Sequence, residues 1–336
     1  MFQKLFFSLF LFFSISISAQ DIIKGTSYSH FELKLKKDNI DFVIADTNLN
    51  VSKPILLFCQ GSQPVPLFID VDDYGVFPVP LSNFDIDELN KDFHVCVISM
   101  PKTPVLVAEK KLNNQYCYIT DSLNSHSYSR EYLNANYFEN YVQRAKKVLK
   151  FLRKQDWVTP NKLIVAGHSQ GARVAVGIAS QDKKVTHLGL FGYNPNGRME
   201  QMIRQIRKDA ETGKISWAKA DSLQQEQYEF YKKLQFTDSI HPNSSLVSWK
   251  SFSKPTVNEL VTLKMPVYIA YGSEDIIADP CDLLPLLFIE NSKENYLIKR
   301  YPNLNHNFFP VSENGRANHS EGKWELVFNE FVNWCN

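Results

Sequence analysis

The chain has 336 residues, 44% of them hydrophobic, with 37 basic side chains against 36 acidic ones. That is enough for one large α/β unit carrying an insertion, and the near balance of charge offers no basic surface, so a nucleic-acid partner is not expected. Five cysteines (Cys59, Cys96, Cys117, Cys281, Cys335) match no zinc or redox spacing, and the eight histidines are scattered. No metal and no cofactor is therefore expected.

Residues 1–19 stand apart. Lys4 is their only charge, a run rich in Leu and Phe follows from Leu5 to Phe13, and a Ser/Ile tail ends in Ala19-Gln20. A basic start, an apolar middle and a small residue at the end predict a cleaved export signal, 1–19, and a periplasmic or secreted mature protein, 20–336. As a membrane span the stretch is short, so no stable anchor is expected after cleavage. Loss of Lys4 leaves the mature chain formally neutral. The odd cysteine count leaves at least one thiol unpaired. Cys59 and Cys96 fall in apolar strand stretches, where a thiol behaves as a small apolar residue.

From Ser29 to Asp46, apolar residues alternate on both sides of Lys37-Asp38-Asn39, which predicts an antiparallel hairpin. Pro54 to Cys59 is apolar throughout, as in a parallel strand covered on both faces. It ends in Gln60-Gly61-Ser62-Gln63, a glycine turn. Residues 64–90 are rich in Pro, Phe and Asp and read as a long loop. Asp92–Met100 predicts a strand stopped by Pro101, and Arg130–Gln155 a helix with Phe138, Tyr141, Ala145, Val148, Leu149 and Leu152 on one face.

The centre of the pattern is Asn161–Ser180. A short apolar run (Leu163 to Ala166) leads into Gly167-His168-Ser169-Gln170-Gly171, and an Ala/Val-rich helical segment follows. Strand, sharp turn and helix with a serine at the apex form a G-x-S-x-G elbow, in which the flanking glycines let strand and helix pass closely. Val185–Tyr193 then predicts another strand. From Arg198 to Leu263 the strand–helix rhythm breaks into charged helical sequence. A first helix carries Met199, Met202, Ile203 and Ile206 on one stripe with Gly213 as its stop, and a second runs from Ser216 to about Phe236 with Tyr228, Phe230 and Tyr231. Met265–Tyr271 and Asn295–Tyr301 read as the last strands, closed by Gly272-Ser273-Glu274-Asp275 and by Pro302 to Phe308. An amphipathic helix with Trp324, Val327, Phe328, Phe331 and Val332 ends the chain.

With the elbow, the parallel-strand pattern and the order Ser, Asp, His in place, nearly all of the mature chain resembles the α/β-hydrolase family. The resemblance implies a mostly parallel central sheet flanked by helices, with residues 198–263 as a helical cap inserted before the strand that carries the catalytic acid. It also implies Ser169 as nucleophile, His306 as its base and Asp275 as the acid that orients the base, with Glu274 and Asp279 as rivals for that last role. The first oxyanion donor would be the backbone N–H of Gln170 and the second that of Ser62. Gln60 departs from the histidine common at that turn. His168 adjoins the nucleophile in sequence, but neighbours across a tight elbow point apart, so it is expected to pack beneath the serine.

The implied activity is a serine hydrolase forming an acyl-serine, with a carboxylic ester as first choice of substrate. A serine exopeptidase related to prolyl peptidases, a thioesterase, and a non-catalytic binding protein on the same scaffold remain open, because fold alone does not choose among them. The expected partner is a small-molecule or peptide substrate, lodged against aromatic side chains of the cap.

Overall fold

In the computed structural model, residues 16–17, 21–36, 38–237 and 244–336 are described. The export-signal reading therefore falls, but for Ser16 and Ile17, outside the described residues. The hairpin forms as expected: β1 (Ser29–Lys34) pairs antiparallel with β2 (Asn39–Ile44). The remaining strands of the main sheet are β3 (Lys53–Cys59), β4 (His94–Ile98), β5 (Val158–His168), β6 (His187–Phe191), β7 (Val267–Gly272) and β8 (Tyr296–Tyr301). Their order across the sheet is β1-β2-β4-β3-β5-β6-β7-β8. From β4 onward all neighbours run parallel. Two-residue strands at Ser16–Ile17 and Asp21–Ile22 add to β1.

The strands are apolar on both faces because both faces are covered. Along β3, Ile55 and Leu57 belong to one core while Leu56 and Phe58 belong to the other; along β5, Leu163 and Val165 alternate with Ile164 and Ala166 in the same way. The first core is roofed by α1 (Phe138–Leu152), α2 (Gln170–Gln181), α6 (Val257–Thr262) and α7 (Ala278–Glu290), the second mainly by α8 (Trp324–Cys335). On α8, Val327, Phe328 and Phe331 are fully shielded, which is the apolar stripe read from the sequence.

Between β6 and β7 the chain makes α3 (Arg198–Glu211), α4 (Trp217–Gln235) and α5 (Ser244–Ser253), and then α6 returns to the sheet. Gly213, with φ +74°, follows the end of α3, and the Ser216 hydroxyl caps α4 by accepting from the Lys219 N–H at 3.2 Å. These helices build two small apolar clusters of their own. One joins Met199, Leu234 and Leu246, with Phe230 and Trp249 at its edge; the other joins Ile206, Ala210 and Ala220.

Three readings of the sequence need correction. Arg130–Gln155 is not one helix: Arg130–Ala135 stops at Asn136, and α1 begins at Phe138. The loop at 64–90 is more ordered than its composition predicts. Phe68–Val71 and Gly75–Pro78 form a hairpin that, with Leu106–Ala108, makes a separate three-stranded sheet, and Ile86–Asp92 is helical. Four-residue strands are too short for alternation to stand out. The third helix of the insertion, α5, has almost no amphipathic pattern and went unpredicted.

Candidate active site

Ser169 sits between β5 and α2 with φ 56° and ψ −120°, a region that non-glycine residues rarely enter. Its own N–H donates to the Phe191 carbonyl at 2.8 Å, which ties the apex to the end of β6. Such a conformation costs on the order of 1–3 kcal/mol and persists only where the surroundings impose it. The two glycines of the elbow do so. A Cβ at Gly167 would lie 2.3 Å from the Gly171 carbonyl oxygen, and one at Gly171 would lie 2.0 Å from the Cys59 oxygen. No side chain fits at either place.

The end of β7 and the loop after β8 bring up the next two residues. Glu274 N–H donates to the Leu304 carbonyl at 2.9 Å and Ser273 N–H to the Tyr301 carbonyl at 2.9 Å, so the two loops are sewn together by main chain. Across this seam His306 Nδ1 lies 2.6 Å from Asp275 Oδ2. The Asp275 side chain is wholly shielded from solvent, and its other oxygen accepts from the Ile277 N–H at 3.2 Å. A carboxylate there holds the Nδ1–H tautomer of the imidazole and leaves Nε2 as the free lone pair. The two rival acids are elsewhere. Glu274 is exposed and accepts from the Ser273 hydroxyl, while Asp279 is exposed and pairs with Arg204 at 2.8 Å.

His168 lies under this arrangement. Its Nε2 is 2.9 Å from the His306 carbonyl oxygen, and its ring packs edge-on to Trp324 at 4.8 Å and beside His306 at 4.8 Å. Burial, with repulsion from His306 behind it, drops its pKa to about 3, so it is a neutral packing group that props up the histidine loop. Gly192 makes room for both rings. It has φ +56°, and a Cβ there would come within 2.9 Å of His306 Cε1 and 3.3 Å of His168 Nε2.

Ser169, Gln170, Ser62 and His306 all line one cavity of about 210 Å³. Gln170 is the first residue of α2, so its N–H is among those a helix leaves without an internal acceptor. Ser62 follows Gly61, where a Cβ would stand 4.0 Å from that of Ser169. The Gln60 side chain fixes this turn by donating to the Ile98 carbonyl at 3.1 Å. Hence all five residues singled out in the sequence meet in one place. The cysteines take no part in that lining: all five are free thiols, four of them buried and Cys59 partly so, and desolvation pushes Cys59 up to about 12.

The rest of the lining comes from the insertion and its approach: Asn194, Gly197, Arg198, Gln201, Met202, Trp249 and Phe252. Asn194 shapes the entry to α3, its Oδ1 accepting from the N–H groups of Asn196 (2.9 Å) and Gly197 (3.1 Å). The aromatics read from the sequence on α4 are not part of that lining. Tyr228 and Tyr231 point to solvent at 46% and 39% exposure, and Phe230 packs edge-on against Trp249 at 5.6 Å. The aromatic wall is Trp249 and Phe252 of the unpredicted α5. Arg198 was also missed. A cation at the first position of a helix opposes the helix dipole, and that local misfit was its one signal in the sequence.

No family model matches the sequence, and no curated protein resembles it closely in sequence. Solved structures do resemble it in shape. An acylaminoacyl peptidase from Pyrococcus horikoshii matches with a TM-score of 0.53 at 11% identity, over 92% of this chain and 42% of that one. The α/β-hydrolase GrgF from Penicillium sp. sh18 matches at 0.51 and 13% identity, over 92% and 97%. A second acylaminoacyl peptidase, solved with a Z-Gly-Gly-Phe chloromethyl ketone, matches at 0.50 and 12%, over 90% and 41%. The chain thus spans less than half the length of these peptidases. The class that these matches define is one of architecture: the chain has the α/β-hydrolase fold.

Proposed function

We propose that this protein is an exported serine hydrolase that cleaves a carboxylic ester through an acyl-serine intermediate, with Ser169, His306 and Asp275 as its catalytic triad. The observation that carries the reading is the 2.6 Å contact of His306 Nδ1 with the shielded Asp275, on the same cavity as a serine held at φ 56°. In the proposed reaction His306 Nε2 takes the Ser169 proton as Oγ bonds to the substrate carbonyl carbon. The N–H groups of Gln170 and Ser62 receive the oxyanion. Collapse expels the alcohol, which takes the proton back from His306. Water, deprotonated by the same nitrogen, then attacks the acyl carbon, and Oγ leaves with the proton returned by His306, releasing the acid and restoring the Ser169 hydroxyl.

Export is proposed from residues 1–19 alone, with the mature chain beginning near Gln20. N-terminal sequencing that found Met1 on the purified protein would sink that part. A peptidase is the second reading, favoured by the fold shared with acylaminoacyl peptidases, and a thioesterase would use the same chemistry. Short p-nitrophenyl esters, aminoacyl-nitroanilides and a fluorophosphonate label separate these readings. Ester turnover with labelling at Ser169 supports the first choice, and nitroanilide turnover moves the assignment to the second. Absence of both turnover and labelling would leave only a binding protein on this scaffold.

A further inference from the structure

The cavity beside Ser169 is short of negative charge. None of its lining residues is an aspartate or glutamate, yet it holds two guanidinium groups, Arg173 and Arg198. Arg173 is 5% exposed, and its two terminal nitrogens donate to the carbonyl oxygens of Asn194 (2.7 Å) and Lys254, while its Nε has no partner among the described residues. Arg198 is different. Its one hydrogen-bond acceptor among the described residues is Gln170 Oε1, 2.8 Å from Nη2, and it makes no ion pair with any of them. The nearby acid on its own helix, Glu200, is occupied by Arg204. The guanidinium carbon lies over the rings of Trp249 (5.0 Å) and Phe252 (5.1 Å), and desolvation lowers its pKa.

A partly dehydrated cation over aromatic faces, with most of its five N–H donors unspent, is costly to hold without a counter-charge. Aromatic contact offsets part of that cost, but a ring supplies no acceptor for the in-plane N–H groups. The N–H groups that Gln170 does not take are what remains, and a planar carboxylate matches two of them with parallel hydrogen bonds. We infer that Arg198 receives a carboxylate borne by the substrate, so that the preferred substrates are small monoanionic acyl compounds: half-esters of short dicarboxylic acids, or acylated hydroxy acids. The modest volume of the cavity favours a chain of few carbons on the anionic side. Arg198 is then a specificity-determining residue rather than a member of the triad. This inference rests on the acyl-transfer reading of the site.

The test compares matched substrates. Mono-p-nitrophenyl adipate is set against p-nitrophenyl hexanoate, which places the charge on the acyl side. The 4-acetoxybenzoate anion is set against its methyl ester, which places it on the leaving group. In the unaltered protein, kcat/KM should favour the anionic member of one pair by on the order of tenfold or more, the range of a charge-assisted hydrogen bond. Arg198→Met should bring that ratio to about one. The ratio is internal, so a general loss of rate does not disturb it. If Arg198→Met does not fold, the unaltered protein still decides the matter: adipate should compete with p-nitrophenyl hexanoate where adipamide does not. Turnover of the neutral esters with no anionic preference in either pair, and no competition by adipate, overturns the carboxylate site and leaves the hydrolase standing. Failure of every ester and of fluorophosphonate labelling overturns the acyl-transfer reading itself.

Discussion

Asp275 and His306 face one another at 2.6 Å across two loops whose main chains are hydrogen-bonded together, and the carboxylate side of the pair is closed to water. A contact of this kind sets a tautomer rather than merely a position. Ser169→Ala and His306→Ala should each lower ester turnover by on the order of 10⁴–10⁶-fold, as in other triads. Asp275→Asn should approach the same loss, whereas Glu274→Gln, on an exposed side chain, should leave kcat near that of the parent. Steady-state kinetics on a p-nitrophenyl ester checks all four, and a larger effect at Glu274 than at Asp275 would reverse the assignment of the acid.

Gly192→Ala tests the space under the histidine. The left-handed backbone there charges an alanine about 1–2 kcal/mol, and the new methyl would meet His306 Cε1 at 2.9 Å. The variant should stay folded but lose activity out of proportion to its stability, with kcat falling at least about tenfold. Thermal melting together with kcat reads the two effects separately. Unchanged kcat would mean that the His306 ring has room to spare.

His168 makes stability depend on pH in a definite direction. Its pKa in the folded chain is about 3, against an ordinary value of 6.5, so the unfolded chain binds the proton first as pH falls. Its contribution is therefore fully present above about pH 6.5 and is lost progressively below it, toward pH 3. His94, buried and also lowered, adds in the same sense. In His168→Gln, which keeps a donor for the His306 carbonyl, urea midpoints should fall less steeply between pH 6.5 and pH 4 than in the parent. Equal slopes would show that His168 does not titrate in this way.

The wall of the cavity gives a contrast between two helices. Trp249→Ala and Phe252→Ala should change the relative kcat/KM values across acyl chains of increasing length. Tyr228→Ala, on a side chain 46% exposed, should leave that ranking alone. A change of ranking from Tyr228 and none from Trp249 would move the wall to α4.

What could be read from the chain follows from where the physics is local. The elbow is legible because Gly167 and Gly171 answer to steric demands met within a few residues or from one neighbouring strand, and because Leu163–Ala166 must be apolar on both faces. Asp275 and His306 were legible through their positions just after β7 and β8. Arg198, Trp249 and Phe252 were not, since their role depends on how three inserted helices fold back over Ser169, and α5 shows too little periodicity to be recognised. The small sheet around Phe68–Val71 was hidden for a related reason. Its strands are short, and its third member, Leu106–Ala108, is nearly 40 residues further along the chain.

The two apolar clusters of the insertion also say something about tempo. Met199, Leu234 and Leu246 form one, Ile206, Ala210 and Ala220 the other, and both are separate from the large cores that clamp the sheet. A unit stabilised by so few buried side chains opens at a lower free energy than the sheet does. Phe252 is anchored in a sheet core, whereas Trp249 rests on the edge of a satellite cluster. Two neighbouring walls of the cavity thus belong to cores of very different size. Amides of α3 and α4 should therefore exchange with solvent well before those of β5.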